Sequence, residues 1–142
     1  MREIKFRAWE KNLKQMIPVN SINFDARIIN MESAWRFFDE VILMQYTGLK
    51  DKNGREIYEG DIVRVGRKKS IAEVIFDDGC FYTPVGISRY RLYGWDKEHI
   101  EVNGNIYDHP HLLEQGGIDM KTIIPRPKYD IGNPHGKVVE RQ

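Results

Sequence analysis

Glu56-Ile57-Tyr58-Glu59-Gly60-Asp61-Ile62-Val63-Arg64-Val65 is followed by Ile71-Ala72-Glu73-Val74-Ile75-Phe76, the turn Asp77-Asp78-Gly79, and Cys80-Phe81-Tyr82-Thr83-Pro84-Val85. Short runs rich in β-branched and aromatic residues, closed off by Gly and Asp at short spacing, are the signature of an antiparallel meander or barrel. Pairing across Asp78-Gly79 predicts that Phe76 faces Phe81, because a two-residue turn fixes the register of both arms. Asp61 stands where a strand opens, and its carboxylate is expected to accept nearby backbone N–H groups.

The same alphabet extends outward in both directions. Ile4, Phe6 and Ala8 alternate with charged residues, the period-two pattern of a strand with one wet face. The polar stretch 10–15 supplies a turn, and Met16-Ile17-Pro18-Val19 returns as an edge strand where the proline removes one ladder donor. Residues 41–47 read as a strand ending at Gly48. Asn53-Gly54 in the loop 50–54 marks a turn that needs positive φ. Beyond the centre, residues 90–93, 100–102 and 105–107 are strand-like, and Asp108-His109-Pro110 opens a final helical turn with Leu112 and Leu113 inward. Met31, Ala34, Trp35 and Phe38 fall at helical spacing, which predicts a short helix capped by Asn30.

The fold expected is therefore mainly β: a small antiparallel, partly open β-barrel with one or two short helices over 1–113, and an extended C-terminal arm over 114–142, where Gly and Pro puncture the chain. At 142 residues, one core should dominate. Hydrophobic residues at 41% exclude a disordered chain. Twenty-two basic against 21 acidic residues leave no global field to draw the chain onto nucleic acid, so only local patches are available. A single cysteine, Cys80, makes neither an internal disulfide nor a Cys-type zinc site, and as a strand-borne small hydrophobe it suits a reducing compartment. No secretory h-region is expected in the charged start, and the longest apolar run, residues 41–44, is far short of the ~20 residues of a membrane span. A cytoplasmic protein without a membrane partner is the expectation.

Local chemistry is sparse. Arg64, Arg67, Lys68 and Lys69 put four cations into six residues, and Arg89, Tyr90, Arg91 and Tyr93 interleave charge with aromatic faces. Phosphate neutralisation beside base stacking needs these residue types together, although a solvated hairpin loop needs the first set too. The stretch 60–65 with 73–76 looks like the opening hairpin of SH3-like barrels, many of which bind nucleic acid or peptides, and equally like a bare scaffold. His109-Pro110-His111 with Asp108 and Glu114 offers metal-ligand types, but the proline fixes the backbone and Asp108 suits an N-cap better. His99 and His135 lack partner spacing. No phosphate loop, nucleophile elbow or HExxH motif is present, so no cofactor, metal or small-molecule substrate is expected.

Four blocks carry a resemblance: residues 1–9 (MREIKFRAW), 43–54 (LMQYTGLKDKNG), 56–63 (EIYEGDIV), and 100–102 (IEV) with 104–107 (GNIY). Together and in this order they resemble the YopX family over roughly 1–113. The resemblance implies a β-rich fold, carriage on phage or prophage genomes and homo-oligomerisation. It implies no assigned reaction, and no catalytic residue carries over. The expectation that follows is a non-enzymatic, self-assembling binding module whose partner is a host or phage protein or nucleic acid. A hydrolase with a site assembled only in three dimensions is the rival. Six of the tyrosines (46, 58, 82, 90, 93 and 107), with Trp95, exceed what a core of this size must use, and subunit contact is an economical use for the surplus.

Overall fold

In the computed structural model, which describes residues 3–114, the chain divides near Gln45 into two compact units. It is mainly β, with antiparallel sheets, one of them curled like a half-barrel, and one short helix. The expected arm falls beyond the described residues, as do residues 1 and 2, His135 and the surroundings of Pro125 to Gly136. No helix among the described residues is long and apolar enough to cross a membrane.

In the first unit, β1 (Phe6–Glu10) forms the expected hairpin with β2 (Gln15–Pro18), pairing Trp9 with Met16 and leaving Pro18 on an outer strand. On its other side β1 pairs with the first half of β6 (Val41–Lys50), Phe6 opposite Gln45 and Glu10 opposite Val41. Phe6 and Arg7 are both half-buried, and β1 then buries Ala8, Trp9 and Glu10 in succession, so the expected alternation of one wet face is not seen. Ile4, expected inward, precedes the strand and is exposed. The buried Glu10 carboxylate accepts the N–H groups of Asn12 (3.0 Å) and Leu13 (2.8 Å), which ties the turn to the strand end.

A second sheet of this unit comprises β3 (Ser21–Asn23), β4 (Ile28–Asn30) and β5 (Trp35–Phe37). The helix expected over residues 31–38 is absent and is corrected here to a turn and a strand, followed by a single 3₁₀ turn at Phe38–Glu40. The Met31 N–H bonds the Ala34 carbonyl at 2.8 Å, closing a tight turn, and Ile28, Ile29 and Asn30 then pair with Phe37, Arg36 and Trp35. Tertiary pairing of β-branched residues overrides a helical spacing of only four apolar positions. Met31 and Phe38 are nevertheless buried, in a core with Ala8, Ile29 and Val41, whereas Trp35 stays half-exposed. Asn30 caps nothing; its Nδ2 donates to Ser21 Oγ.

The second unit holds the stretch that decides the fold. The second half of β6 pairs with β7 (Glu56–Tyr58), Tyr46 opposite Tyr58, around the Asn53-Gly54 turn, where Gly54 takes φ 81°. β8 (Asp61–Val65) lies between β9 (Ser70–Glu73) and β13 (Ile100–Asn105). β10 (Ile75–Asp77), β11 (Cys80–Val85) and β12 (Ser88–Arg91) make a further antiparallel sheet. Asp78 and Gly79 both take positive φ, the mark of a type I′ hairpin, and the rings of Phe76 and Phe81 stand 5.0 Å apart as the register demands. Asp61 Oδ2 accepts the Tyr58 N–H at 2.8 Å, the expected strand-opening bond. Ile57, Val63, Val65, Ala72, Val74, Leu92, Ile100 and Val102 form this unit's own core, so the buried residues gather into two clusters where one was expected to dominate.

The chain ends its described part with α1 (His111–Glu114), the expected helical turn, on which Leu112 and Leu113 are half-buried. Asn105 organises its approach: its Oδ1 accepts from Tyr107 and Asp108 N–H, and its Nδ2 donates to Asp108 Oδ2 at 2.9 Å. Asp108 is thereby engaged with Asn105.

Candidate functional site

Hydrogen bonds within the second unit build a cleft around the β8–β9 turn. Gly66 leaves β8 with φ 76°, a conformation glycine adopts at no steric cost, and its N–H bonds the His99 carbonyl at 2.9 Å. The Lys69 N–H returns to the Gly66 carbonyl at 3.2 Å, so Arg67 and Lys68 are held at the tip of a closed turn. From the other wall, the Lys52 N–H bonds the Ile100 carbonyl at 3.0 Å and brings the tip of the β6–β7 hairpin beside β13. A register shift between Val102 and Gly104 leaves Asn103 out of the ladder as a bulge. The result is an open cleft of about 560 Å³, lined among others by Arg64, Arg67, Lys69, Lys52, His99 and Asn103.

Its electrostatics are mixed. Lys52 Nζ meets Glu101 Oε2 at 2.6 Å; hydrogen bonding to the carboxylate raises the Lys52 pKa, and the same bond lowers that of Glu101. The Arg64 guanidinium donates to the Lys69 carbonyl at 3.2 Å, stiffening the loop from within. Arg67 and Lys68 make no ion pair among the described residues and are exposed.

Behind the loop stands Trp95. Its ring packs so tightly on Gly66 that a β-carbon there would lie 3.0 Å from Cζ3, and its Nε1 donates to Thr83 Oγ1 at 2.6 Å. Tyr90, half-exposed, packs on Trp95 with ring centroids 5.2 Å apart and the rings tilted by 55°. Gly66 at the base of the basic loop thus contacts Trp95, partly buried against the core, and Trp95 in turn contacts Tyr90.

The other interleaved residues are elsewhere. Tyr90 pairs across the sheet with Thr83, whereas Arg89 and Arg91 pair with Pro84 and Tyr82, so strand alternation sends the two arginines to the opposite face. There Arg89 lies 3.8 Å above the Tyr82 ring and bonds Asp77 at 2.9 Å, and Arg91 donates to the Tyr93 hydroxyl at 2.6 Å. Of the eight sequence candidates, Arg64, Arg67 and Lys69 line the cleft, Lys68 tips the loop, Tyr90 adjoins it through Trp95, and Arg89, Arg91 and Tyr93 do not join it. Lys52, His99 and Glu101 were missed, since they reach the loop only through long-range backbone bonds.

Two side chains with chemical potential are bound into the scaffold. The Asp51 carboxylate, fully buried, accepts N–H groups from Asn53 (2.8 Å), Arg55 (2.9 Å) and Val102 (2.9 Å). Burial pushes its pKa up, but the bonds from Val102, Arg55 and Asn53 prevail and hold it below the usual value. His109 Nδ1 accepts the Asn105 N–H at 3.3 Å and its ring covers Gly104. No group of three or more His, Cys, Asp or Glu residues suited to a metal occurs among the described residues.

An antiparallel fold in two small β units, with one sheet curled like a half-barrel, defines the class. A sequence model of the family described as YopX protein matches residues 5–114, and the chain belongs to the YopX family. The solved structure of EF1440 from Enterococcus faecalis is similar at a TM-score of 0.65 and 26% identity, over 80% of this chain and 99% of that one. That of yopX from Bacillus subtilis is similar at 0.54 and 21% identity, over 80% and 97%, a likeness of fold. No curated protein matches the chain.

Proposed function

We propose that this YopX-family chain is a non-catalytic binding module that takes nucleic acid along the β8–β9 loop. The observation that carries the reading is the continuity of Arg67, Lys68 and Lys69 with the Trp95–Tyr90 pair across Gly66, since cations and stacking rings on one surface are what phosphate and base require. The shifted groups in the cleft, Lys52 and Glu101, answer to each other, which suits an ion pair better than an acid–base couple. Carriage on a phage genome and action in the host cytoplasm rest on kinship and on the lone cysteine.

The test is fluorescence anisotropy of a labelled oligonucleotide at two salt concentrations. With about three phosphate contacts, affinity should fall about fifteenfold between roughly 50 and 200 mM salt, and Arg67→Glu should weaken it further and flatten the slope. Absence of binding at low salt would sink the reading.

Self-assembly belongs to the same proposal and is favoured by a different observation. Phe24, Trp35 and Phe37 are each about half or more exposed in the first unit, with Trp35 and Phe37 packed edge to face on the outer strand β5. An outer strand carrying two rings is self-complementary about a two-fold axis, which makes a second copy its simplest occupant.

A further inference from the structure

We infer that the nucleic acid bound at this loop is single-stranded, an inference that rests on the binding reading above and specifies its ligand. Charge decides first. The cleft offers four cations, Lys52, Arg64, Arg67 and Lys69, against two carboxylates, Glu98 and Glu101, and Lys52 is already held by Glu101 at 2.6 Å. So small a surplus neutralises a few phosphates at most and does not hold a duplex by its backbone alone. Affinity must come in good part from another source, and the rings beside the loop are that source.

Of the two rings, Tyr90 is the one open to a base, and Trp95 backs it. Trp95 packs against Gly66 and is held at its Nε1 by Thr83, and Thr83 Oγ1 also donates to the Tyr90 carbonyl at 3.2 Å, so one side chain of β11 ties the indole to the backbone of β12 at Tyr90. Tyr90, 46% exposed, is left with ring surface facing solvent. A base meets such a ring only when unstacked from its own neighbours, as in a single strand; in a duplex the base faces are occupied.

The experiment titrates the whole chain into a fluorescein-labelled oligothymidylate of about 12 nucleotides and into a mixed-sequence duplex of about 12 base pairs, at low salt. The single strand should bind at least about tenfold more tightly. Tyr90→Ala should weaken single-strand binding about tenfold while Tyr90→Phe, which keeps the ring, binds like the parent chain. Equal or tighter duplex binding overturns the inference and leaves the charge-based reading standing. Binding of neither probe overturns that reading and the inference with it. Should Tyr90→Ala fail to fold, the comparison of the two probes on the parent chain decides alone.

Discussion

Asp51 shows how one side chain can hold two distant segments. Its carboxylate accepts two N–H groups from its own hairpin and a third from Val102, 51 residues on. Asp51→Ala would leave those donors without an acceptor, and urea unfolding should show a loss of about 3 kcal/mol. The same bonds predict an acid dependence. The folded pKa lies below the unfolded one, so the folded state binds fewer protons; the stabilisation is full above the ordinary carboxylate value near about 4 and is lost as pH falls through the folded value. Urea midpoints compared above and below that pH should converge for Asp51→Ala and the parent chain as the medium becomes more acid. The sequence revealed the turn that Asp51 opens, because Asn53-Gly54 is local chemistry, but not the reach to Val102.

At the scale of an element, the β8–β9 turn depends on one glycine for two reasons. Gly66 takes φ 76°, and its open flank is filled by the Trp95 ring at 3.0 Å. Gly66→Ala therefore combines backbone strain with a clash, and should cost about 2 kcal/mol and alter Trp95 packing, visible as a changed near-ultraviolet dichroism. The adjacent Asp78-Gly79 hairpin was legible down to the Phe76–Phe81 pair, since a two-residue turn leaves one register. Strand β5 was not legible, because Met31, Trp35 and Phe38 satisfy helical spacing and the competing strand pairs come from outside the window. If its exposed rings join two copies, Trp35→Ala with Phe37→Ala should yield a monomer mass by light scattering where the parent chain gives a dimer. A parent chain that is monomeric at high concentration would defeat the idea.

For the whole molecule, a net charge of +1 makes any nucleic-acid affinity a local property of the loop. Reversing an exposed charge on the opposite face of β12 from Tyr90, as in Arg91→Glu, should leave oligonucleotide affinity within about twofold, whereas Arg67→Glu should not. Anisotropy at one low salt concentration distinguishes these outcomes. The candidate site was half legible for the same reason that charge is local: Arg64, Arg67, Lys68 and Lys69 lie within six residues of the chain, while Lys52 from the β6–β7 hairpin and His99 and Trp95 from the β12–β13 connection converge on them.

The sequence by itself determined the β class, the hairpins at Asn53-Gly54 and Asp78-Gly79, and kinship with the YopX family, because turn chemistry and alternation act over a few residues. Tertiary structure alone decided that residues 31–38 form a turn and a strand, that the buried residues gather in two clusters, and that Tyr90 faces away from Arg89 and Arg91. The first two depend on which strand lies alongside, since hydrogen-bond partners far apart in the chain leave no local mark, and the third follows from alternation once β12 is a strand.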